Sequence, residues 1–100
     1  MSSHLTTAED AVRRLFRAKA ALREAKAAHR AAAAQYGPCT GATQLLPNAS
    51  CWSDAPNPED WWCASCLGRQ PAWRAQQRAG YLAAAALRAV LAVGKRLEGA

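Results

Sequence analysis

No stretch of this chain is apolar enough to cross a bilayer. The longest candidate, Tyr81 to Val93, carries Arg88 and falls short of the roughly 20 residues a membrane helix needs. Met1-Ser2-Ser3-His4 shows no basic region followed by an apolar run, so no secretory leader is expected. Together these absences predict a cytoplasmic protein with no membrane role. Aromatic residues are also scarce, at 7% of the 100 residues, and most lie in or beside one region: Tyr36, Trp52, Trp61, Trp62 and Trp73. Much of the 51% hydrophobic content is alanine, which buries little area at roughly 25 cal/mol per Å². A 100-residue chain supports one domain, and a core this thin calls for a staple.

The equipment of most enzymes is missing as well. There is no His/Glu cluster, no Ser/His/Asp set and no glycine-rich phosphate loop. A non-enzymatic protein without a small-molecule substrate is expected. Residues 31–68 contain no Lys or Arg and carry Asp54, Glu59 and Asp60, a net charge of −3. The flanks are cationic. Residues 1–30 have seven basic and three acidic side chains, net +4, and residues 69–100 have six and one, net +5. The whole chain stands at +6.

What the chain does have is four cysteines, spaced Cys39-x11-Cys51-x11-Cys63-x2-Cys66. In a reducing compartment thiols bind metal more readily than they pair. A closed four-cysteine site for a structural Zn²⁺ ion accounts for them best: zinc takes about four soft ligands in a tetrahedron, and a C-x2-C pair grips one edge of it. Cys39 and Cys51 would grip the opposite edge from a loop. The x11 spacings are longer than those of standard zinc fingers. Two other readings compete. Two disulfides, in any of three pairings, need an oxidising compartment. The run Trp62-Cys63-Ala64-Ser65-Cys66 is superficially similar to the redox motif of thioredoxin-like proteins, but that motif follows a strand, and no βαβ pattern is present. A catalytic zinc is disfavoured, since four thiolates leave no position for water. His29 is a substitute ligand on paper, although its position in a heptad reads as a seam residue; His4 reads as solvated.

The cysteine region sits between two helical patterns. Thr6-Thr7-Ala8-Glu9 matches a capping box, and nothing breaks the helix until Gly37-Pro38, which predicts a first helix over residues 6–36, about 45 Å long. Leu15, Leu22, His29 and Tyr36 recur every seven residues, with Ala11, Ala18, Ala25 and Ala32 between them. This is a coiled-coil-like seam whose small residues admit a close partner. Asn57-Pro58-Glu59-Asp60 reads as a helix start, giving a short helix over 58–67 that ends at Gly68. A last helix is expected over 71–97, beginning at Pro71, with a seam of Trp73, Gln76, Gly80, Ala83, Leu87, Val90, Gly94 and Leu97. The expected fold is all-α: an antiparallel two-helix hairpin, with residues 37–70 forming a zinc knob and an extra short helix at the turn.

Two functional readings follow. The first is a zinc-stabilised interaction protein, an accessory or regulatory module of a size and composition that suit a phage or mobile element. It would bind a protein partner or self-associate. Adjacent Trp61 and Trp62 point about 100° apart on a helix; one of them would then be exposed, as an anchor for the partner. The alternative is sequence-independent DNA or RNA binding along the helix faces, through Arg13, Arg17, Arg23, Lys26, Arg30, Arg74, Arg78 and Arg88. No aromatics interleave those residues, so base stacking is not indicated.

Overall fold

A computed structural model describes residues 3–41, 51–52 and 61–99, with residues 3–6 described by backbone alone. Among these the architecture is all-helical, and the two helices pack against each other: α1, Ser3–Tyr36, and α2, Ala64–Gly99. As α1 runs down in number α2 runs up. Tyr36 lies against Gly68, His29 contacts Trp73, and Ala18 and Ala21 share a groove with Ala79 and Leu82. The helices are therefore antiparallel, and the hairpin expected from the two heptad patterns is present.

The ends of α1 follow local chemistry. The helix begins at Ser3, one turn ahead of the expected cap, which places Thr6 inside it. Glu9 pairs forward with Arg13 at 3.7 Å, and Asp10 stands 4.0 Å from the same guanidinium. Both pairs are exposed and contribute little. At the other end the Gly37 N–H donates to the Ala33 carbonyl at 2.9 Å, with Gly37 at φ +79°. That is a left-handed cap, and Pro38 then bars further helix.

The second helix departs from the expected division. α2 runs unbroken from Ala64 to Gly99 and carries Pro71 inside it. The 64–67 half of the expected short helix is the first turn of α2, and residues 58–60 lie outside the described residues. Gly68 reads as a helix terminator in sequence, but here it makes room. A Cβ at this position would overlap the Tyr36 ring. Arg69 adds a second tie, donating from Nη1 to the Gly37 carbonyl at 3.5 Å. Packing against the end of α1 thus carries the helix through a proline that removes one backbone donor, a defect of about 3 kcal/mol in an isolated helix.

The seam on α1 is the expected one except at its last member, Tyr36, which is exposed although it lies over Gly68. Ala11, Leu15, Ala18, Leu22, Ala25, His29 and Ala32 are all partly buried. On α2 one of the two expected rows holds and the other is shifted. Gln76, Ala83 and Val90 are partly buried as expected. The deepest row is Ala79, Ala86 and Val93, one residue before Gly80, Leu87 and Gly94. Leu87, Gly94 and Leu97 are exposed, and a Cβ at Gly80 or Gly94 would meet nothing. Alanine, not glycine, sets the approach of the two rods. Ala86 is 0% exposed. Ala86→Leu is expected to force the helices apart and to cost about 1–3 kcal/mol, read as a lowered denaturation midpoint; Gly80→Ala is expected to be neutral or stabilising.

Candidate metal centre

The hairpin brings its four cysteines together at the end where the helices meet. All four are free thiols, and their sulfurs lie within 4.8 Å of one another. The Cys39 and Cys63 sulfurs are 3.9 Å apart. A disulfide would put them at about 2.05 Å. A tetrahedral ion bound at about 2.3 Å per sulfur would put them about 3.8 Å apart. The observed separation matches the second figure, so the cluster has the dimensions of a site that could hold a metal ion. His29 is not in it; its ring lies tilted against Trp73, 5.5 Å between centroids.

Each sulfur also receives an N–H. Gly41 donates to Cys39 at 3.4 Å, Cys63 to Cys51 at 3.3 Å, Cys66 to Cys63 at 3.4 Å, and the Trp52 indole to Cys66 at 3.2 Å. Donors of this kind favour the thiolate form. The local backbone is bent to supply them. Gly41, two residues after Cys39, has φ +96°, a conformation open mainly to glycine. Trp52, directly after Cys51, has φ +71°, a costly value for a bulky residue. That strain sits where it turns the indole N–H toward Cys66.

Cys63 does a second job. Its carbonyl accepts the Leu67 N–H at 3.0 Å and its sulfur accepts the Cys66 N–H, so Cys63 is the N-cap of α2 with sulfur in the place of the usual oxygen. The same position explains its ionisation. Burial pushes the Cys63 thiol up, but the backbone N–H groups of Thr40 and Cys66 outweigh it and hold the group down at about 5. Burial, then the neighbouring thiols Cys63, Cys39 and Cys51, push Cys66 up to about 12. Burial also raises Cys51 above the usual thiol value. One site thus supplies a preformed thiolate beside thiols that ionise only when a cation arrives to share the charge.

Aromatic rings case the cluster. Trp52 lies tilted against Trp62 at 5.0 Å and meets Trp73 edge-on at 5.9 Å, and Trp61 meets Trp62 edge-on at 6.1 Å. Through Trp73 and His29 the casing continues into the seam of α1. The Arg69 guanidinium lies 5.9 Å from the Trp52 ring centre, so one arginine grips both the casing and the cap of α1. Trp61, Trp62, Cys63 and Cys66 are buried together as a single core cluster.

That burial corrects the tryptophan reading. Trp61 is 2% and Trp62 7% exposed, so neither is available as a surface anchor. The expectation assumed helical geometry, in which neighbours diverge. Residues 61–63 instead form the turn into α2, and both rings fold inward. The basic residues Arg13, Arg17, Arg23, Lys26, Arg30, Arg74, Arg78 and Arg88 are all exposed. They do not form one face. Arg17 and Arg78 meet across a groove with Arg14, which the sequence reading omitted, whereas helical phase puts Arg23, Lys26 and Arg30 on the opposite flank of α1. The reading also missed Trp52 as a hydrogen-bond donor and Arg69 as a clamp. A Trp beside a candidate ligand was the available signal for the first; the second required the fold.

Trp52→Phe keeps an aromatic side chain, with a smaller ring, and removes the indole N–H. It is expected to weaken metal affinity about 10- to 100-fold, the usual cost of losing a partner that orients a ligand, measured by competition with a chromophoric chelator. Among the described residues no helix is long and apolar enough to cross a membrane. Comparison with protein-family models, with curated proteins and with solved structures finds no match to this chain.

Proposed function

We propose that this chain is a small non-enzymatic interaction module: a helical hairpin pinned at its turn by Zn²⁺ on Cys39, Cys51, Cys63 and Cys66, presenting its rods to another protein. The observation that carries the reading is the cluster of four sulfurs within 4.8 Å, each accepting an N–H, at the shared end of the two helices. Zinc suits an all-thiolate, tetrahedral donor set better than the hard cations, which take oxygen. Four thiolates close the coordination sphere, which fits a structural and not a catalytic ion. The aromatic casing and the short reach of the alanine seam agree: the metal end is where this molecule is held together.

A rod with a fixed end and two exposed faces suits presentation to a partner. The basic residues are less suited to nucleic acid, being divided between opposite flanks, with Arg13 already facing Glu9 and Asp10. Two measurements test the proposal. Elemental analysis of the reduced, freshly purified chain should give one zinc per chain, and cobalt substitution should give the visible bands of a tetrahedral thiolate site. Tagged chain recovered from its host should bring a protein with it in stoichiometric amount. Recovery of nucleic acid alone, released by moderate salt, would replace this reading with the electrostatic one.

A further inference from the structure

One flank of the hairpin carries a trough of about 400 Å³ between the rods. Its floor is apolar, built from Ala18 and Ala79 with Leu82 beside them, and its rim is cationic, formed by Arg14, Arg17 and Arg78. The trough exists because alanines line both helices here: methyl groups leave a furrow that longer side chains would fill. None of the three arginines has an ion pair among the described residues, and all are exposed. Leu82 is 55% exposed, well beyond what its neighbours Ala79 and Ala86 allow themselves.

We propose that this trough is a docking site for an acidic amphipathic helix of a partner protein. The claim rests on the interaction-module reading and names the surface and the chemistry of that interaction. Charge complementarity selects the occupant. A helix laid along the trough would seat its apolar stripe on Ala18, Ala79 and Leu82 and turn its flanking carboxylates toward Arg14, Arg17 and Arg78, completing a three-helix bundle. A second copy of this chain is a poor occupant. Its α1 and α2 segments are themselves strongly cationic, and would set arginine against arginine. A nucleic-acid backbone answers the arginines but leaves the apolar floor without a counterpart.

The test uses the full metal-loaded chain and a labelled synthetic helix of about 20 residues, long enough to span about 30 Å, with Leu and Ala on one face and Glu along both flanks. Fluorescence anisotropy should show saturable binding, and amide resonances of Ala18, Ala79 and Leu82 should move on titration. The triple variant Arg14→Glu, Arg17→Glu, Arg78→Glu should weaken binding at least about tenfold, and Leu82→Asp should also weaken it. Arg23→Glu with Arg30→Glu, on the opposite flank, should change it less than about twofold. All these positions are exposed, so circular dichroism should show unchanged helix. Absence of binding overturns the assignment. So does equal binding of a peptide with Lys in place of Glu or with a scrambled apolar face, displacement of the peptide by duplex DNA at moderate salt, or sedimentation showing that the same arginines control self-association. A triple variant that still recovers the same host protein as the unaltered chain would remove the trough while leaving the interaction-module reading intact.

Discussion

Chelation is expected to abolish the cooperative melting of this chain, not to shift it by a few degrees. Along the described rods the buried side chains beyond the cysteine end are Ala79, Ala86 and Val93. At about 0.8 kcal/mol for each buried CH₂ or methyl, they supply only a few kcal/mol. A structural zinc contributes an apparent 10–16 kcal/mol or so in small zinc domains. The balance therefore turns on the metal. The measurement is a far-UV circular dichroism melt with and without EDTA, followed by added Zn²⁺. The expected result is loss of the transition, recovered on adding metal in excess of the chelator, with a midpoint that rises with metal concentration. Cys66→Ser should behave as the chelated protein does even in the presence of zinc, since Cys66 is 0% exposed and is surrounded by the other thiols and Trp52. A melt indifferent to EDTA would end the metal account.

The same site fixes the direction of the pH dependence. At neutral pH Cys63, at about 5, is already a thiolate, whereas Cys51 and Cys66 are raised and hold their protons until metal binds. Metal binding therefore releases protons, and affinity falls as pH falls. Below about 5 the Cys63 proton joins the competition, and the fall steepens. Stability drawn from the metal is thus present at neutral pH and lost in acid. Proton release measured by calorimetry in buffers of different ionisation enthalpy checks the sign.

The second large effect is expected at Trp61. Trp61→Ala should cost about 3–5 kcal/mol, the range for emptying a buried aromatic site, because the ring is 2% exposed and packed edge-on against Trp62. Phe16→Ala and Tyr81→Ala, at positions 70% exposed, should lie within about 0.5 kcal/mol of zero. Chemical denaturation of the three metal-loaded variants makes the comparison. Equal losses at Trp61 and Phe16 would mean that the rods, and not the metal end, carry the core.

Much of this molecule is written in short-range patterns. The seven-residue recurrence of Leu15, Leu22 and His29, with alanine between, is enough to place the buried face of α1, because helical phase depends only on sequence spacing. Gly37-Pro38 marks its end for the same local reason. The cysteine spacing likewise suggests one four-sulfur cluster, since free thiols in a thin core have few other uses. Relations between distant segments are a different matter. Gly68 and Pro71 read as breaks until Tyr36 is seen lying over one and Arg69 tying the turn to Gly37; contacts across more than thirty residues then outweigh a local penalty. Trp61 and Trp62 look divergent until the turn at residues 61–63 folds both inward. The α2 seam slips by one residue: the row of Ala79, Ala86 and Val93 faces α1, and Leu87 and Gly94 are left exposed. Helix phase and ligand chemistry are properties of the chain read along itself; burial, helix continuity and the arginine-rimmed trough arise only where two rods meet, since each depends on what the other rod presents.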